Sequence, residues 1–269
     1  MDNLVDIGLN LMHSSFKKDR IEIIEEAKKV GVNQFIITGT NIQSSQMAAQ
    51  YASQYPETLF STSGVHPHDA KTCDETTMGK IEKIAENDCV VAIGECGLDY
   101  NRNFSPQDVQ RKWFEAQIEV AEKLEMPLFL HEREAHEDLY NILKRHESVV
   151  EKSVVHCFTG TKQEAQNYID LGCYIGVTGW ICDMKRGKDL QEAVSVIPPE
   201  KLMIETDAPF LIPKNFDFKP KKNRNEPKYL PHILETIAYY MEIDSQELKK
   251  QVSKNTKKFF KIYIGMTLT

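Results

Sequence analysis

Eight short, apolar, β-rich runs recur from one end of this chain to the other, each followed by a stretch with helical character. They are residues 4–9, 34–40, 59–65, 89–95, 126–132, 153–158, 173–179 and 201–207. Helical stretches such as DRIEIIEEAKKVG, VQRKWFEAQIEVAEKLE and KQEAQNYIDLG lie between them, two closing on Gly31 and Gly172 as helix C-termini often do. Strict alternation of strand and helix predicts a parallel sheet. Near-continuous apolar strands predict burial on both faces. Eight such units within 269 residues fit a closed α/β (β/α)8 TIM barrel, and no composition shift or repeat divides residues 1–269 into more than one domain.

Composition narrows the class. Hydrophobic residues make up 41% and charged residues 27%, the profile of a soluble globular chain. No N-terminal basic-then-apolar leader and no membrane-length apolar run is present, so the expected compartment is the cytoplasm. Cysteines 73, 89, 96, 157, 173 and 182 are scattered without a CxxC pair, which predicts reduced structural thiols. The net charge of −7 argues against non-specific coating of long duplexes. A local basic rim with bound metal ions remains compatible with a nucleic-acid substrate.

In a barrel, chemistry collects at the C-terminal ends of the strands. Strand three here ends in His66-Pro67-His68, strand four in Glu95, strand five in His131 and strand eight in Glu205-Thr206-Asp207; strand six carries His156 near its end. One such residue is ordinarily structural. Five strands delivering imidazoles and carboxylates to one rim predict a shared cation, because buried polar groups need partners. Two histidines with two carboxylates and no cysteine suit Mg2+, Mn2+, Zn2+ or Fe2+. Such an ion acidifies water and polarises a phosphoryl or carbonyl oxygen, and Asp207 can both ligate it and take the proton. Each residue also has a plainer role open to it. Glu95 can cap a turn, His156 can be a core histidine, Asp207 can start a turn, and His66 or His68 can touch substrate. His13, His146 and His232 are expected to be structural or on the surface, and His136 to edge the site at most.

The strings GVHPHD, AIGECGLDYNRNFSPQ, PLFLHER, VVHCFTGT, YIGVTGW, LMIETDAP and RNEP resemble, in order, the TatD family of metal-dependent deoxyribonucleases. VDIGLNL and CDMKRG are similar to the TatD branch itself. The resemblance implies a TIM barrel, a divalent metal site with Mg2+ a frequent activator, and 3′-to-5′ exonuclease or endonuclease action on DNA. By motif it implies Glu95, His131, His156 and Asp207 as metal ligands, with Glu95 and Asp207 the catalytic carboxylates and His66 at the substrate phosphate. There is one departure. Where the wider family has Asp-x-His-x-His on strand one, this chain has Asp6-Ile7-Gly8-Leu9-Asn10. Losing both histidines disfavours a tight two-metal Zn2+ centre and favours a looser ion such as Mg2+. Glu132 replaces a family cysteine, without a firm account.

A phosphodiester substrate fits the remaining charges. Arg133, Arg186 and Arg224 fall in strand-end loops, and Lys219, Lys221 and Lys222 enrich the proline-bearing loop 213–227. Arg133 and Arg224 are expected to bind substrate, while the lysines either hold phosphate or merely solubilise. Trp180 either stacks on a terminal base or packs. The expected substrate is DNA, single-stranded or at chain ends, with RNA a further candidate, and the expected state is a monomer. A hydrolase of a small ester, lactone or amide is the main alternative. A binding scaffold that kept the barrel, or a lyase or isomerase with phosphate grips, ranks below it.

Overall fold

The computed structural model describes residues 3–220 and 223–262. Lys221 and Lys222 of the basic loop lie outside the described residues. Eight strands are all parallel and hydrogen-bonded in sequence order: β1 Leu4–Leu9, β2 Val32–Ile37, β3 Leu59–Ser63, β4 Val90–Asp99, β5 Leu128–Arg133, β6 Ser153–His156, β7 Tyr174–Val177 and β8 Leu202–Ile204. The ends of the sheet meet. Gly8 carbonyl accepts Asp207 N–H at 2.9 Å, Ala208 carbonyl accepts Asn10 N–H at 2.9 Å, and Leu9 bridges Ala208 in parallel. The protein is a (β/α)8 barrel.

Helices α1 Arg20–Lys29, α2 Ile42–Ala52, α3 Thr77–Ala85 and α4 Gln107–Leu124 follow the first four strands. After β5 come α5 His136–Arg145 and the single turn α6 Glu147–Val150; α7 Lys162–Leu171 follows β6 and α8 Lys188–Ala193 follows β7. Helices α9 Leu230–Met241 and α10 Ser245–Phe260 follow β8. Their boundaries are written locally. Thr161 and Glu164 form a reciprocal capping box at the start of α7, and Gly172 ends it at φ 106°, a conformation costly for any residue with a Cβ. Asn41 and Ser44 cap α2 the same way. Apolar helix faces pack on the barrel wall around buried Phe35, Phe114, Ile118, Leu139 and Tyr168. No helix among the described residues is long and apolar enough to cross a membrane.

Two of the differences from the expected strand bounds shape the rim. β4 was expected to stop at Glu95 but runs ten residues, to Asp99, pairing with β5 as far as Asp99 opposite Arg133. The register slips between Gly94 and Cys96, leaving Glu95 as the extra residue of a bulge. Bulges re-aim side chains and gather beside functional sites. Gly94 and Gly97 flank it at φ 138° and 136°, where an added Cβ would lie 2.3 Å from Phe129 carbonyl oxygen and 2.0 Å from that of His131. Only glycine permits that path. β8, expected over 201–207, ends at Ile204, because Glu205–Asp207 leave strand geometry to close against β1 and Asp207 takes φ 52°.

Candidate metal centre

The bulge gives the centre its hub. Glu95 Oε1 receives three imidazoles: His156 Nε2 at 2.8 Å, His131 Nδ1 at 3.0 Å and His66 Nε2 at 3.4 Å. His131 and His156 stand directly opposite each other in the β5–β6 register, so one strand face carries both. His66 follows β3 and caps the turn Pro67–Thr72. Ligand-competent atoms of His66, Glu95 and His131 lie within 4.8 Å of one another.

A second layer holds these rings from behind. His156 Nδ1 meets Glu205 Oε2 at 3.2 Å, and Glu205 Oε1 accepts Cys157 N–H at 2.5 Å. Asp99 Oδ2 meets His131 Nε2 at 3.2 Å and His68 Nε2 at 2.8 Å. Asp207 accepts Asn10 Nδ2 at 2.8 Å, and Asp6 holds Thr206 through its N–H at 2.9 Å and its hydroxyl at 2.5 Å. Among the described residues no lysine or arginine pairs with Glu95, Glu205 or Asp207.

The electrostatics follow from that enclosure. Burial alone raises the Glu95 carboxyl, but the surrounding imidazoles hold it well below the usual carboxylate range. Burial pushes His131 and His156 toward the neutral form, and their carboxylate partners reverse this, so both are raised. His66 is pushed down to about 3 by burial, and is neutral. Enclosure in protein, with Glu205 and Glu95 nearby, pushes Asp207 up to about 8. Burial likewise pushes Asp6 up to about 7. The carboxylates thus favour positive charge at these two rings. A divalent cation supplies the same charge from one point, with neutral imidazoles and carboxylates as its donors. The donor set fits such an ion.

The expected residues are distributed as follows. His131 and His156 converge on one Glu95 oxygen. Asp207 is not in the ligand-competent group; it feels His156, Glu205 and Glu95 through charge and accepts from Asn10. His66, expected at the substrate phosphate, also sits inside the ligand-competent group. His68 serves Asp99 and edges Phe104 at 4.7 Å. Arg224 is engaged by carboxylates. Its guanidinium is largely buried and committed to Asp19 at 2.6 Å and Glu226 at 2.9 Å, over the Phe16 ring at 4.6 Å. It ties the start of α1 to the loop after β8. Arg133 and Arg186 both lie over the Trp180 ring, at 5.9 and 4.5 Å. His136 meets Asn167 and packs edge-on against Tyr168, between α5 and α7. All six cysteines are free thiols.

Sequence reasoning missed Asp99 and gave Glu205 no role of its own. Asp99 is the last letter of GECGLD, visible only once the bulge carries β4 past Glu95. Glu205 is explained by the departure on β1. An added Cβ at Gly8 would fall 2.1 Å from Glu205 Oε2, and one at Gly176 would fall 3.1 Å from Glu205 Oε1. The carboxylate fills the space that a side chain at position 8 would take. Gly8 is therefore more than a lost ligand, because it admits an acidic partner for His156.

Comparison with known proteins agrees with this geometry. Residues 5–261 match the family model described as TatD-related DNase. A protein of Citrobacter rodentium named 3′-5′ ssDNA/RNA exonuclease TatD is 47% identical over 98% of this chain and 99% of its own length. Its namesake from Escherichia coli K12 is 46% identical over 96% of this chain and 99% of its own length. A solved TatD-family hydrolase from Entamoeba histolytica superposes with a TM-score of 0.87 at 27% identity, covering 98% of this chain and 99% of that one. A TatD homologue from Escherichia coli K12 gives 0.88 at 24% identity, covering 97% and 99%, and so supports the fold. With a barrel closed at β8, a carboxylate hub under three imidazoles and a full-length family match, the chain belongs to the TatD-related DNase family.

Proposed function

We propose that this chain is a divalent-metal-dependent nuclease that removes nucleotides from the 3′ end of single-stranded DNA, and of RNA as well. The observation that carries the reading is the convergence of His66, His131 and His156 on one Glu95 oxygen, with Glu205 and Asp207 beside them. The full-length relatives bearing 3′-5′ ssDNA/RNA exonuclease names support the substrate and the polarity. The ion is Mg2+, because no cysteine joins the cluster and β1 brings glycine and asparagine in place of two further histidines. The enzyme acts as a monomer of one barrel domain in the cytoplasm.

Glu95, His131, His156 and Asp207 would hold the ion, with His66 close enough to share that task. When bound, the ion supplies Lewis-acid polarisation of the scissile phosphate and acidifies water. Everything else falls to the chain. Asp99 and Glu205 fix the ring orientations of His131 and His156, as outer partners of ligating histidines do. Asp207, freed of its proton by the bound ion, would accept the proton of the attacking water. His66, neutral at physiological pH, orients a phosphate oxygen without adding charge. Arg133, two residues beyond His131, neutralises the phosphate backbone.

Metal affinity is expected to rise with pH. His131 and His156 have raised pKa values and Asp207 is held at about 8, so near neutrality all three bind protons that a cation must displace. Calorimetric titration of Mn2+ at pH 6 and pH 8, in buffers of different ionisation enthalpy, reads both the affinity and the protons released. Tighter binding at pH 6 would contradict the assignment.

The activity test uses metal-stripped protein with 5′-labelled single-stranded DNA or RNA and Mg2+, Mn2+, Zn2+ or no metal, beside Asp207→Asn. Expected is a metal-restored ladder shortening from the 3′ end, absent in the variant. Cleavage of a small ester with none of any strand would sink the nuclease reading.

A further inference from the structure

Beside the centre lies a cavity of ≈ 290 Å³ that none of the assigned residues lines. Its walls are the turn after β7 (Gly179 and Trp180), Arg186, and Pro209 with Leu211 and Lys214 after β8. Pro209 stands two residues beyond Asp207, so the cavity opens off the rim where the proposed chemistry takes place. A second cavity of ≈ 730 Å³ shares Ile212, Lys214 and Asn223 with the first and extends along Phe216, Phe218 and Lys219. The two cavities thus border each other along the loop after β8, and we treat them as one groove.

The chemistry of its walls is consistent along its length. Arg186 and Arg133 stack over the Trp180 ring, and Arg133 follows His131 by two residues on β5. The ladder of guanidinium, indole and guanidinium therefore reaches from the groove back to the centre. Trp180 Nε1 donates to Arg186 carbonyl oxygen at 3.1 Å, which fixes the indole in place. Lys214, Lys219 and Phe218 are exposed, Phe218 by 52%. Of the two acids lining the groove, Asp183 is spent on Arg186 Nε at 2.9 Å and on the N–H groups of Lys185 and Arg186; Asp217 lies at the far end. Arginine and aromatic planes in a cationic groove are what single strands bind, with bases stacked on the planes and phosphates on the cations.

We propose that this groove is the strand-binding track: a base next to the scissile linkage stacks on the Trp180–arginine ladder, and Arg186 and Lys214 hold the following phosphates. The proposal rests on the nuclease reading and adds the path of the substrate.

The chain has two tryptophans, so Trp113→Phe leaves Trp180 as the only indole. Titrating a short phosphorothioate oligothymidylate, which resists hydrolysis, into that protein with Mg2+ present is expected to quench its emission. Trp180→Ala is expected to raise KM for strand cleavage about tenfold, with most of the effect restored by Trp180→Phe and little by Trp180→Leu. Arg186→Ala with Lys214→Ala is expected to flatten the salt dependence of binding by about 1.4 in the log–log slope. Bound oligonucleotide with unchanged Trp180 emission and an unchanged salt slope would overturn the track. A parent that cuts strands while Trp180→Ala keeps its KM overturns the track alone; a parent that cuts no strand overturns the nuclease reading and the track together.

Discussion

Glu95→Gln is expected to lower kcat/KM for strand cleavage by roughly 10³-fold, about 4 kcal/mol of transition-state stabilisation. Glutamine keeps the size of the side chain and removes its charge. That charge is the common partner of three imidazoles, each within 3.4 Å of one oxygen. Without it His131 and His156 lose one of the carboxylates that keep them in place, and the proposed ion loses its most enclosed anionic donor. The apolar wall of the barrel is untouched, so circular dichroism should still report a folded chain. In the metal-free variant the His131 and His156 pKa values should fall, since burial then acts with less opposition. Proton-detected histidine titration measures that directly. Full activity in Glu95→Gln would remove the hub from the mechanism.

The second large effect is expected from adding a single methyl group. Gly8→Ala places a Cβ 2.1 Å from Glu205 Oε2 and only in ordinary contact with Phe129, at 3.5 Å. Backbone strain is not involved, because Gly8 is not among the glycines with positive φ. Glu205 has to swing away, and it is fully buried, so its bonds to His156 Nδ1 and Cys157 N–H are lost with nothing to replace them. A cost of about 2–4 kcal/mol in stability is expected, together with loss of most activity as His156 turns. A double-mutant cycle isolates the cause. If the clash is with Glu205, Gly8→Ala added to Glu205→Ala should cost almost nothing further, a coupling of about 2 kcal/mol. Additive losses would place the defect elsewhere on β1.

Much of this centre is legible in the chain, and its gaps have physical reasons. The repeated strand-then-helix pattern is a local property, so all eight strands are visible within a few residues of their true ends. Glu95, His131 and His156 are visible because each ends an apolar run, and in a parallel barrel the ends of runs share one rim. Asp99 is hidden because a bulge is a register event between β4 and β5; the letters GECG announce it only when two positive-φ glycines are recognised. The service of Glu205 to His156 is hidden because it depends on an empty volume at Gly8, contributed by a strand about 200 residues away along the chain. The partners of Arg224 are hidden for a similar reason. A basic residue in a rim loop reads as an unpaired cation until Asp19, at the start of α1, and Glu226 are seen to pair with it. The basic loop is only partly testable on this basis, since Lys221 and Lys222 lie outside the described residues.

The most direct measurement titrates Mn2+ into metal-free protein and follows bound ion by electron paramagnetic resonance and strand shortening by gel in the same samples. Expected is cleavage from the 3′ end that rises in step with bound Mn2+, and loss of both signals in Glu95→Gln. Cleavage in the presence of excess chelator, or Mn2+ bound as tightly by Glu95→Gln as by the parent, would contradict a catalytic metal held at the Glu95 hub.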